Sequence, residues 1–179
     1  MRTLSSAEIA KIIHEGKAMP EKDGTAVLNE FERDQPLLYQ AIFGTLSDGI
    51  AESNVDMSNL FLDLCFDIIL VYKRAFGNPP ANQQRGEAWF EKKVSLLDAE
   101  LKSIADDAGM SPKLKERLSN RFLERSVKAG VQTELFQYLD EAVIRYASFK
   151  RSRKKAIHVT NNLLFVVVRL MDDIYSPED

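Results

Sequence analysis

The chain has 179 residues, 45% hydrophobic and 28% charged, with a formal charge of −3. These proportions exclude a disordered chain and predict one globular domain over 1–179, large enough to bury a core without a disulfide or metal staple. A single cysteine, Cys65, excludes an internal disulfide, and no apolar run approaches the roughly 20 residues that a membrane helix needs.

The N-terminus has neither the apolar core nor the cleavage site of a signal peptide. With a lone cysteine suited to a reducing compartment, it points to a soluble cytoplasmic protein with no membrane contact.

Ser5 to Glu8 forms S-x-x-E, a capping box that predicts a helix running to Lys17. The stretch MPEKDGT at 19–25, with Pro20 and Gly24, reads as a turn, followed by a short helix over 26–32. Together they make 1–34 a loosely packed N-terminal helical segment of the same domain. Pro36 opens a helix carrying Leu37, Leu38, Ala41, Ile42 and Leu46. Gly44 and Gly49 weaken it and leave room for a close neighbour.

The clearest element spans 57–76. It is apolar nearly all round, with Asn59, Asp63, Asp67 and Arg74 falling near one line. That pattern predicts a central helix with one narrow wet stripe. Gly77 and the following N-P-P supply a hard stop. A long helix is predicted over 81–108 from Phe90, Val94, Leu97, Leu101 and Ile104, ended by Gly109. Ser111 and Pro112 open another, closed by Gly130. Thr133 precedes a helix with the apolar rhythm Leu139, Val143, Tyr146, Phe149. That rhythm stops at the basic run Lys150–Lys155 and restarts at Ile157 for a last helix reaching Ile174. The expected fold is an all-α, single-domain bundle of six to eight helices.

Chemistry is sparse. His14 and His158 belong to no E-x-x-H pair, and Cys65 sits between Leu64 and Phe66 as a buried structural thiol would. No phosphate-cradling glycine loop is present. These features predict no catalytic residue and no cofactor. Asp63 with Asp67, and Glu87 with Glu91, stand four apart on helix faces and are weak candidates for a divalent metal if the two pairs converge. The E-x-x-E plus E-x-x-D spacing of helical nucleotide pyrophosphatases is absent. The plainer reading makes Asp63 and Asp67 the solvated side of their helix.

The charge map says more. Residues 1–109 carry net −7, residues 110–171 net +8, and residues 172–179 net −4. Such asymmetry suggests an anionic partner or acidic and basic faces that meet in self-association. The segment 101–122 has helix-turn-helix spacing around Gly109, with Lys113, Lys115, Arg117 and Arg121 on its second helix. Lys150, Arg151, Arg153, Lys154 and Lys155 make a second basic cluster. No core-seeking residue lies among them, so they form either a grip on an anion or the wet corner between two helices. The expected function is non-enzymatic macromolecular binding, as an adaptor or self-associating protein. The alternatives are a nucleic-acid-binding regulator using both basic clusters and, more weakly, a metal-dependent hydrolase.

Overall fold

In the computed structural model, which describes residues 1–79, 88–93, 95 and 132–176, the capping box forms as its spacing requires. The Ser5 hydroxyl accepts the Glu8 amide, and the Glu8 carboxylate accepts the Ser5 amide at 3.0 Å. This fixes the start of α1 (Ser6–Lys17), which buries Ile9 and Ile13. Arg2 pairs with Glu8 at 2.8 Å and, with help from Ser5, holds its carboxyl down at about 2.

The turn expected over 19–25 is shorter than the sequence suggests. Helix α2 (Glu21–Asp34) begins directly after Pro20, and Gly24 lies inside it. A helical glycine costs only about 1 kcal/mol. Glu21 and Asp23 in the first turn offset part of that against the helix dipole. The N-terminal segment 1–34 buries Leu4, Ile9, Ile13, Val27 and Phe31 in the common core, where looser packing was expected.

Helix α3 (Pro36–Gln40), a π-helical segment (Ala41–Leu46) and α4 (Ser47–Ala51) make one unbroken rod. The Ser58 hydroxyl donates to the Ser47 carbonyl at 2.8 Å and ties the rod to the next helix. Gly44 and Gly49 do not serve close packing. A Cβ at either would meet nothing within 4 Å. The close approach is at Gly16, where a Cβ would lie 2.3 Å from Leu70 Cδ2. Gly16→Ala therefore loses about 1–3 kcal/mol through overpacking. Gly49→Ala, exposed and helical, gains up to about 1 kcal/mol. Urea denaturation of the two variants checks the opposite signs.

Helix α5 (Val55–Phe76) is capped by the Asn54 side chain, which accepts the Met57 amide at 3.0 Å, and it stops at Gly77 with φ of 88°. It is the central element, packed against α1, α4 and the two helices that follow in the described chain. These are α6 (Thr133–Ser148) and α7 (Ile157–Tyr175), joined by a 3-10 turn over Arg151–Ala156. Residues 88–93 are also helical, and Lys93 pairs with Asp173 at 3.0 Å.

Hydrogen bonds define the topology. Asn54 reaches Ser152 at one end of α5, while Tyr72 reaches Val168 and Asp172 at the other. Hence α5 and α7 run parallel. The Ser6 hydroxyl bonds Glu134, placing the starts of α1 and α6 together. These two helices run opposite to α5 and α7. Gln132, fully buried, clamps the N-terminus: its Oε1 accepts the Leu4 amide and its Nε2 donates to the Arg2 carbonyl, both at 2.8 Å.

The result is an all-α bundle with no strand among the described residues. No helix among them is long and apolar enough to cross a membrane.

Candidate binding cavity

Helix α1 ends, at Gly16 and Lys17, over the middle of α5. The end of α6 stands opposite. Between them lies an open cavity of about 870 Å³. Leu28, Phe43, Leu60, Phe66 and Tyr138 give it mainly apolar walls, and Ala142 leaves the α6 side low. Phe43 comes from the π-helical segment and stacks on Tyr39 with ring centroids 4.5 Å apart. The volume is within the range of roughly 300–1,000 Å³ typical of small-molecule sites.

Among the described residues, four charged ones line the cavity: Asp63, Asp67, Lys17 and Arg145. The sequence places Asp63 and Asp67 together on a wet stripe. The structure separates them, with Asp63 exposed and Asp67 only 7% exposed. Burial raises both carboxyls above the usual range, opposed by Lys17. Asp67 reaches about 6, with the Asp63 charge adding to the rise. Asp67 is thus not the solvated residue that its spacing suggested. A single helical stripe cannot show which of its members the fold buries.

The weak metal candidates are not assembled. Glu91 is exposed on the helical segment 88–93, and Glu87 lies outside the described residues. Among the described residues no three His, Cys, Asp or Glu side chains gather as metal ligands would. Cys65 is buried and its thiol is pushed well up, as expected of a structural cysteine. His14 and His158 are exposed.

The basic run is a corner. Lys150 Nζ and Arg153 Nη2 both meet Asp56 Oδ2 at 2.9 Å, and Arg153 Nε donates to the same oxygen at 3.0 Å. The Arg153 guanidinium stacks 3.8 Å over the Tyr146 ring and donates to the Tyr146 carbonyl at 3.1 Å. Lys150 and then Arg153 hold the Asp56 carboxyl down. Two of the five basic candidates therefore pin the corner to the start of α5. Arg151, Lys154 and Lys155 stay exposed. Lys113, Lys115, Arg117, Arg121 and the helix-turn-helix spacing at 101–122 lie outside the described residues.

Phe149, which continues the apolar rhythm of α6, is not core. It is 77% exposed and stands at the cavity rim. The helix ends at Ser148, so the period that carried Leu139 and Val143 inward no longer governs residue 149.

A second buried carboxyl lies away from the cavity. The Tyr72 hydroxyl donates to Asp172 Oδ1 at 2.6 Å, and Asp172 Oδ2 is buried with no hydrogen-bond partner among the described residues. Burial raises this carboxyl to about 7, against the lowering effects of Tyr72 and Arg169.

Fold and site together define a class: an all-α bundle with a partly polar, open cavity between its helices. No family model, no curated protein and no solved structure matches the chain.

Proposed function

We propose that this protein works by binding and that its ligand is a molecule with an elongated apolar body, held in the cavity between α1, α5 and α6. The carrying observation is the cavity: about 870 Å³, apolar walls, a few polar groups and an open mouth. Such concavities bury most of a small ligand's surface while a few placed polar groups orient it.

Calorimetric titration with n-octanol tests this. The ligand-efficiency ceiling for a molecule of this size permits a dissociation constant of about 1 mM or tighter. Ala142→Phe puts a ring into the cavity and abolishes the heat, while Lys11→Ala, on the exposed side of α1, leaves it unchanged. Equal heats in wild type and Ala142→Phe contradict the reading.

Macromolecular binding as an adaptor, the expectation from composition and charge, has its own supporting observation. Ile144 is 50% exposed and Phe149 77% exposed near the end of α6. Beside Phe149, the exposed Arg151, Lys154 and Lys155 give the nucleic-acid reading three cations that Asp56 does not engage. That reading predicts a steep loss of affinity with salt, close to one unit of log–log slope for each phosphate contact.

A further inference from the structure

We propose that the ligand carries a protonated amine on its apolar chain and that Asp67 receives the amine. The inference rests on the cavity-binding reading and names the chemistry of the ligand's head.

Asp67 lines the cavity, is only 7% exposed, and accepts no hydrogen bond among the described residues. A carboxylate taken out of water is costly unless it is paired and hydrogen-bonded. The described residues supply no such partner. Lys17 acts on Asp67 through its charge, without an ion pair, and Asp63 adds a second negative charge. What this carboxylate lacks is a donor arriving from the cavity.

An ammonium supplies three N–H donors and one compact positive charge. The aromatic walls Phe43, Phe66 and Tyr138 can also attract a cation by their ring faces. A neutral hydroxyl offers one donor and no charge. A carboxylate head meets repulsion from Asp63 and Asp67, and among the described lining residues Lys17 and Arg145 alone compete for it.

The test titrates the full chain with n-octylamine, n-octanol and n-octanoate near pH 8, where Asp67 is ionised. Octylamine binds about tenfold or more tightly than octanol, the scale of a hydrogen bond to a charged group. Octanoate binds weakest. Asp67→Asn brings octylamine to the octanol level and leaves octanol within about twofold, the spread expected of a neutral contact. Lys17→Gln removes the cation whose charge acts on Asp67, at an exposed position, so it folds and binds octylamine severalfold more tightly. It keeps the test decisive if Asp67→Asn misfolds. Equal binding of amine and alcohol, or tightest binding of octanoate, overturns the amine assignment while the cavity reading stands. No binding of any of the three overturns both.

Discussion

Replacing Asp172 by Asn stabilises this protein near pH 8 and changes little near pH 4. The folded Asp172 carboxyl holds its proton up to about 7, whereas an unfolded Asp releases it near 3.9. Between these values the folded state binds more protons than the unfolded state. Stability therefore falls as pH rises through this window, and the loss is complete above the folded value. A difference of about three pKa units corresponds to about 4 kcal/mol. Asn cannot ionise, and its amide oxygen can still accept from the Tyr72 hydroxyl. Urea denaturation at both pH values should place Asp172→Asn about 2–4 kcal/mol above wild type at pH 8 and within about 0.5 kcal/mol at pH 4. A variant less stable than wild type at pH 8 contradicts the burial argument. Asp67, raised to about 6, acts with the same sign over a narrower window.

Gln132→Ala has the other large effect. Its side chain is the clamp that fixes the first residues of the chain, 128 and 130 positions away in sequence. Alanine removes both hydrogen bonds and leaves the Leu4 amide buried without a partner, which costs about 1–3 kcal/mol. If the segment peels away instead, Leu4, now 1% exposed, loses a burial worth about 2 kcal/mol. Either route predicts a loss of about 2–4 kcal/mol in unfolding free energy. Hydrogen exchange separates this from a general weakening. Protection of the Leu4 amide collapses while that of the α5 core amides falls only with global stability. An unchanged Leu4 amide would show that the clamp is incidental.

The features legible in the sequence are those written over a few neighbouring residues. The capping box at Ser5 and Glu8, the apolar helix ending at Gly77, and the corner at Lys150–Lys155 each follow from local spacing. The missed features arise where distant segments meet. Nothing around Gly16 signals that Leu70 presses against it, and Gly44 and Gly49 carry the same local signature without such a neighbour. Asp63 and Asp67 are indistinguishable on a helical wheel. Only the folded chain makes one exposed and the other buried. Tyr72 and Asp172 stand 100 residues apart, so no periodicity could pair them. The cavity has the same origin: its described walls come from five segments, and no single stretch encodes it. Carboxylates four apart share a helix face, so Asp63 and Asp67 read first as a solvated stripe and only weakly as metal ligands. In the fold both carboxylates line a cavity, and Asp67 is the buried one.

The most direct measurement is a crystal structure of the full chain grown with n-octylamine near pH 8. The account predicts the ammonium nitrogen about 3 Å from an Asp67 carboxylate oxygen, with the chain lying along Leu60, Phe66 and Tyr138. Octylamine ordered elsewhere on the surface, with the cavity left to solvent, would contradict it.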